Sequence, residues 1–252
     1  MLKVRVIPTL LYKSMGLVKG VAFDSWRHVG GLMQSIKVYE MRQVDELVFL
    51  DIAATREGRG PDFQLVDDFA DECFMPLTVG GGVRTVEDVR RLLAVGADKV
   101  SINTALVTDP ELVRAAARRF GSQCVVASID ARRRPDQVLE AETHSGTRPT
   151  GVEPAVLARK AEELGAGEIL LTSIDRDGTM TGYDLPLVRS VTEAVSIPVI
   201  ASGGAGTYEH MAEAVLQGHA SAVAAGAIYH FTQQTPHEAK RHLAARGVAV
   251  RL

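Results

Sequence analysis

The sequence predicts one (β/α)8 barrel spanning residues 1–252. Eight short apolar runs alternate with helical segments, the second half of the chain repeats the first, and the length suits a single large barrel. In order, the runs are VRVIPTLL (4–11), ELVFLDI (46–52), PLTVGG (76–81), DKVSIN (98–103), CVVASID (124–130), EILLTSID (168–175), PVIASGG (198–204) and SAVAAG (221–226). Near-continuous hydrophobicity marks strands buried on both faces, as parallel strands are. The stretches between them carry amphipathic helical periodicity, as in VEDVRRLLAVG from Val86 to Gly96. Strand and helix alternating throughout implies a parallel sheet, and eight such units close into a barrel. A doubly wound open sheet is the structural rival. That fold usually places a GxGxxG turn after its first strand, and VIPTLLYKSMG has none.

The repeat sharpens this reading. PLTVGGGVRTVEDVRRLLAVGADKV from Pro76 matches PVIASGGAGTYEHMAEAVLQGHASAV from Pro198 at a constant offset of 122 residues, so that Gly81 falls on Gly203, Gly82 on Gly204 and Gly96 on Gly218. Repetition at half the chain length implies two four-stranded half-barrels, neither able to bury its own edges. Glycines between the end of a strand and the start of a helix let backbone N–H groups approach an anion that the helix dipole also favours. Gly81-Gly82 and Ser202-Gly203-Gly204 occupy such places, and the next strands end in Asn103-Thr104 and Ala225-Gly226. A single glycine pair would be read as a tight turn. Two copies at matching positions predict two phosphate sites and a ligand with a phosphate at each end.

Lys and Arg total 28 against 31 Asp and Glu, a net charge of -3, which offers no general attraction for nucleic acid. The apolar runs are strand-sized, well short of the roughly 20 residues that cross a bilayer. MLKVRVIP passes directly into a strand pattern rather than a signal peptide. A cytoplasmic protein without membrane or nucleic-acid partners is expected. Cys73 and Cys124 are too few and too far apart for a metal motif or disulfide framework, so both are read as core residues, with no metal and no cofactor. The segment Lys13 to Gly30 after the first strand is read as a long loop at the active face, a mobile lid whose single aromatic, Trp26, stacks on ligand or anchors the lid. Arg132, Arg133 and Arg134 are read as a solvated turn, and His230 as structural.

These loops, with VDELVFLDI, ADKVSIN and EILLTSIDRDGTMTGYD, resemble the cyclase subunit of imidazole glycerol phosphate synthase, usually called HisF, from Met1 through the RGVAVRL tail to Leu252. The resemblance implies a TIM barrel that receives ammonia from a glutaminase subunit of the HisH type at its N-terminal face. It would use that ammonia at its C-terminal face on a bis-phosphorylated substrate. It also implies an acid/base pair of aspartates at the ends of the first and fifth strands. Asp130 supplies the second of these, but Leu11 stands at the first, where the family has an aspartate in a motif like CLDVKDG. A leucine cannot transfer a proton, and a positioned acid/base group typically contributes about 10²- to 10⁴-fold. By analogy Asp177, Asp51 and Lys19 lie near the mouth, with Asp130, Asp177 and Lys19 the expected catalytic residues.

The resemblance further implies an ammonia gate of Arg5, Glu46, Lys99 and Glu168 at the strand starts, with Asp98 beside it contacting the glutaminase. The RVIPxLL start and the HFTQQTP-like tail are similar to cyclase paralogues of acetamidino sugar modification in surface polysaccharide pathways, which are thought to work beside a glutaminase and a sugar amidotransferase. That class is the favoured expectation. The histidine-pathway cyclase with its acid/base work redistributed is the main rival, and a non-catalytic partner that only conducts ammonia is the third. Leu11 and the gate quartet count against the related half-barrel-repeat isomerase, which needs carboxylates at both strand ends and no gate.

Overall fold

The computed structural model describes residues 3–14 and 16–252. Its strands are β1 (Arg5–Lys13), β2 (Gly16–Val21), β3 (Asp24–Gly30), β4 (Leu47–Asp51), β5 (Leu77–Gly80), β6 (Lys99–Ile102), β7 (Val125–Arg133), β8 (Leu139–Thr143), β9 (Arg148–Pro149), β10 (Glu168–Ser173), β11 (Val199–Ser202) and β12 (Ala222–Ala225). Its helices are α1 (Leu32–Met41), α2 (Phe63–Ala70), α3 (Val86–Ala94), α4 (Thr104–Thr108), α5 (Pro110–Phe120), α6 (Pro154–Glu163), α7 (Leu185–Thr192), α8 (Tyr208–Leu216), α9 (Ala227–Phe231) and α10 (Pro236–Ala245).

Eight strands form a closed parallel barrel in the order β1, β4, β5, β6, β7, β10, β11, β12, with β12 returning to β1 through Arg5↔Ala222 to Pro8↔Ala225. All eight apolar runs of the sequence lie on these strands, as expected of a (β/α)8 barrel. Helix starts are set by side chains that accept the first free backbone N–H groups. Thr85 and Asp88 make a reciprocal capping box on α3, Thr207 caps α8 at His210, and Asp184 caps α7 at Leu187. Thr85 and Thr207 are 122 residues apart, so the repeat extends to the caps.

The apolar core has two parts. The larger packs helices on the barrel's outside, with Phe69, Leu92, Leu106, Val191 and Leu243 buried. The smaller fills the inside with Ile7, Val48, Val126, Leu170, Ile200, Ala222 and Ala224. Among the described residues no helix is long and apolar enough to cross a membrane.

Two strands overrun the barrel rim, and each gains an antiparallel partner there. β1 continues to Lys13 and pairs with β2, which pairs with β3; β7 continues to Arg133 and pairs with β8, which pairs with β9. The segment after the first strand is therefore a β-hairpin rather than an irregular lid loop. Its turn residues Ala22 and Phe23 have φ of +50° and +62°, the left-handed pair of a tight hairpin turn without the usual glycine. Docking offsets that strain: the Ala22 N–H donates to the Asp177 carbonyl at 2.8 Å, which pins the hairpin to the loop after β10.

Three smaller expectations are corrected. Arg132 and Arg133 lie on β7 and Arg134 just beyond it, and each is ion-paired, to Glu142, Asp184 and Glu140 respectively, rather than solvated in a turn. Cys124 sits in a 3-10 turn before β7 and Cys73 in the connection after α2, both half-buried rather than in the core. Burial pushes the Cys73 thiol up to about 11, with its hydrogen bond to the Met75 carbonyl only partly opposing that.

Candidate active site

Where strand ends meet loops at the C-terminal mouth, one cavity encloses about 1160 Å³ out to its opening. Small polar side chains line it from the successive strands β6, β7, β10 and β11, namely Ser101, Ser128, Thr172 and Ser202, with Thr9 on β1. Every residue predicted to bind phosphate lines it, Gly81, Gly82, Asn103 and Thr104 on one side and Ser202, Gly203, Gly204, Ala225 and Gly226 on the other. The two groups follow β5/β6 and β11/β12, four strands apart in an eight-stranded barrel and so on opposite sides of the mouth.

The repeat holds at atomic level around these loops. Gly82 has φ +73°, and a Cβ there would fall 2.7 Å from the Arg59 carbonyl and 3.0 Å from the Ala54 Cβ. Gly204 has φ +113°, and its Cβ would fall 2.2 Å from the Gly182 carbonyl and 3.1 Å from the Arg176 Cβ. Ala54 and Arg176 are again 122 residues apart. Glycine is required at both places by positive φ and by the neighbouring loop's approach. The short helices α4 and α9 follow at equivalent points, each opening toward the cavity at Thr104 or Gly226.

The charged groups are unevenly placed. Lys19 on β2 is buried, and its Nζ lies 2.7 Å and 2.6 Å from the two carboxylate oxygens of Asp177, also buried. Asp51 lines the cavity but is fully engaged, accepting the Ala53 and Ala54 N–H groups at 3.0 Å each and Arg59 Nη1 at 3.1 Å. Asp130, where the fifth barrel strand reaches the mouth, opens to the cavity and has no cation partner among the described residues. Asn103 Nδ2 is 3.3 Å from its Oδ2. Burial, reinforced by the charges of Asp177 and Glu142, pushes its carboxyl up to about 7. Directly across the barrel, Leu11 contributes an apolar wall.

Trp26 and Phe23 of the hairpin also line the cavity, and Lys13 Nζ sits 5.9 Å from the Trp26 ring centroid. His230 lies outside the lining, and burial, with Lys19 nearby, pushes its imidazole down to about 4, so it is neutral at pH 7.

At the opposite end of the barrel Arg5, Glu46, Lys99 and Glu168 meet. Lys99 Nζ lies 2.9 Å from Glu46 and 2.9 Å from Glu168; Arg5 pairs with Glu46 at 2.6 Å and with Glu168. Each cation thus bridges both anions, and Thr78 Oγ1 adds a 2.8 Å hydrogen bond to Glu46. Burial pushes the Glu168 carboxyl up, but Arg5 and Lys99 together more than offset this and hold it below the usual range. Asp98, beside the ring, accepts the Leu77 N–H at 2.8 Å. The apolar inner core separates the ring from the cavity floor.

Sequence reasoning missed the β8–β9 hairpin and what it carries. Ser145 lines the cavity, and Glu142 is buried beside Asp130's strand. The alternation in LEAET, bounded by PDQ and THSG, was the available signal.

A closed parallel barrel with its polar cavity at the C-terminal ends of the strands belongs to the class of (β/α)8 enzymes. More narrowly, the chain belongs to the histidine biosynthesis protein family, whose sequence model matches residues 5–235. Members of that family are barrel enzymes of the synthase or isomerase type.

Proposed function

We propose that this chain is the barrel subunit of a glutamine-dependent synthase. It binds a bis-phosphorylated small molecule across its mouth, receives ammonia through the Arg5–Glu46–Lys99–Glu168 ring from a HisH-type glutaminase, and acts in acetamidino sugar modification. One observation carries the reading: a balanced charge ring closes one end of the barrel, while the acid/base chemistry at the other is one-sided, Asp130 facing Leu11.

The ring supports ammonia entry because its two cations and two anions cancel, so it is buried without a large net desolvation cost. Beyond it lie Ile7, Val48, Val126, Leu170 and Ile200, a layer that favours neutral ammonia over ammonium or other ions. The Gly81-Gly82 and Gly203-Gly204 loops, with Thr104 and Gly226 opposite their ends, would seat one phosphate each.

Leu11 supports the paralogue over the histidine-pathway cyclase. Asp51 cannot substitute, because its oxygens already accept Ala53, Ala54 and Arg59, and Asp177 is held by Lys19. Asp130 favours a catalytic over a purely conducting barrel, since a carboxyl near 7 can both give and take a proton at neutral pH. In this reading Asp130 transfers the proton, Lys19 holds Asp177 and the pair orients the ligand's polar middle. The sugar amidotransferase is the expected third partner.

The test supplies the protein with the bis-phosphorylated histidine precursor and a high concentration of ammonium salt, which bypasses the glutaminase. Little or no imidazole glycerol phosphate is expected, with a higher rate on Leu11→Asp. Turnover of about 1 per second by the unaltered protein, an ordinary enzyme rate, would return the histidine pathway to first place. A glutaminase from the same source that neither binds nor is activated would remove the ammonia reading.

A further inference from the structure

Glu142 is 5 % exposed and sits on β8 directly opposite Asp130 in the β7–β8 ladder, so the two side chains share a face. Its Oε1 accepts Arg132 Nε at 3.0 Å. Its Oε2 is buried with no hydrogen-bond partner among the described residues. Gly146 packs against it from the β8–β9 turn: a Cβ added there would lie 3.6 Å from Oε2 and 2.8 Å from Phe23 Cδ2. A buried carboxylate oxygen left without a donor is destabilising, and its retention beside an acid/base group calls for a use.

The charges facing this spot come from four elements. β7 brings Asp130 and Arg132, β8 brings Glu142, β2 brings Lys19, and the loop after β10 brings Asp175 and Asp177. Lys19 neutralises Asp177 and Arg132 anchors Glu142, with Asp175 3.6 Å from Arg132 on its exposed side. Among the described residues no cation pairs with Asp130, and the four carboxylates face only two cations, so the cluster carries an excess of negative charge that a proton on Asp130 would reduce.

We propose that Glu142 is a positioning residue for Asp130: held by Arg132 and set directly opposite Asp130 in the β7–β8 ladder, it presents a buried carboxylate on the same face and so helps Asp130 to act as an acid toward whatever occupies the cavity. The inference rests on the reading of Asp130 as the proton-transfer group. It would also explain how one aspartate serves a site whose opposite wall is Leu11, since a group half-protonated near pH 7 can deliver a proton and recover it. Burial first, then the charge of Asp177, push the Asp130 carboxyl up, and the charge of Glu142 adds to them in the same direction.

The test is the titration of Asp130 in the full chain, followed by carboxyl carbon NMR on aspartate-labelled protein, with the signal assigned by its loss in Asp130→Asn. The unaltered protein should titrate near 7. Glu142→Gln keeps the acceptor for Arg132 but removes the charge, and should make Asp130 about tenfold more acidic. Glu142→Asp restores the charge and should return the midpoint toward its original place, which a merely structural role would not do. Should Glu142→Gln not fold, Glu142→Leu also removes the negative charge while leaving Arg132 in place, and should show the same acid shift. A midpoint unmoved in whichever of these folds overturns the proposal. No substrate is involved, so failure of glutaminase activation or of phosphate binding would remove the proposed function and leave this result standing.

Discussion

Asp130→Asn should make the protein relatively more stable as the pH rises. The Asp130 carboxyl is pushed from 3.8 to about 7 in the fold, with burial the first cause. The folded state therefore holds its proton over a range in which the unfolded chain has released it, and stability falls as pH rises through that window. The contribution is fully present below about pH 4 and lost once pH passes about 7. At about 1.4 kcal/mol per unit the whole loss is about 4 kcal/mol, of which roughly 2 to 3 kcal/mol falls between pH 5 and pH 8. Asparagine keeps the shape and the contact with Asn103 but has no proton to lose. Urea unfolding of both proteins at pH 5 and pH 8 isolates the effect of Asp130 and its coupled neighbours, because titrating groups that do not interact with Asp130 cancel in the difference. The variant's stability relative to the unaltered protein should rise by roughly 2 kcal/mol or more across that interval. A difference constant to within about 0.5 kcal/mol would refute the argument that Asp130 is held protonated by its site, and would weaken its assignment as an acid.

Lys19→Met leaves Asp177 buried without its cation and should destabilise the fold by about 3 to 5 kcal/mol in denaturant titration, with Asp177→Asn added in the same chain recovering most of it. A loss below about 1 kcal/mol would mean that the pair is solvated. Glu46→Gln removes the most buried member of the charge ring and leaves Arg5 and Lys99 against Glu168 alone, at a cost of about 3 kcal/mol; the added change Lys99→Met rebalances the ring and should restore much of this. Gly204→Ala places a methyl 2.2 Å from the Gly182 carbonyl at φ +113°. Calorimetric titration with inorganic phosphate should then lose the site beside Gly226 and keep the one beside Thr104, and loss of both or neither would speak against two independent cradles.

The barrel was legible because parallel strands buried on both faces read as unbroken apolar runs, and the repeat fixed their number. The charge ring was not legible from charges at strand starts alone, which are often solvated rims; the resemblance named Arg5, Glu46, Lys99 and Glu168, and the closed barrel brings the four together. The hairpins were not legible. The β2–β3 turn uses Ala22 and Phe23 at positive φ, where a reader looks for Asn-Gly, and it is stabilised by a contact with Asp177 far along the chain. Arg132 to Arg134 looked like a solvated turn because their partners, Glu140, Glu142 and Asp184, become neighbours only once β8 and α7 are in place. Glu142 was invisible for the same reason. Nothing in LEAET distinguishes a solvated glutamate from one set opposite Asp130 by strand register.

The two half-barrels keep one geometry but have diverged in chemistry. Asp51 in the first half corresponds to Ser173 in the second, Thr55 to Asp177, and Ala54 to Arg176, each 122 residues apart. The glycine cradles are consequently near-copies, whereas the groups between them are not: Asp130, Glu142 and the Lys19–Asp177 pair gather at the β7 and β10 side, and Leu11 and Leu50 wall the β1 and β4 side. On the proposed reading this asymmetry has a definite use. A ligand with a phosphate at each end could sit in two near-copied cradles in either direction, and the cradles alone would separate the two orientations poorly. A polar reacting centre placed against Leu11 instead of Asp130 would lose its hydrogen bonds in a buried site, which costs about 1 to 3 kcal/mol for each unmatched group. One or two such mismatches already favour a single orientation by tenfold or more. On that reading, leucine rather than a carboxylate at the first strand both withholds a second proton-transfer group and favours one end of a symmetric-ended ligand beside Asp130.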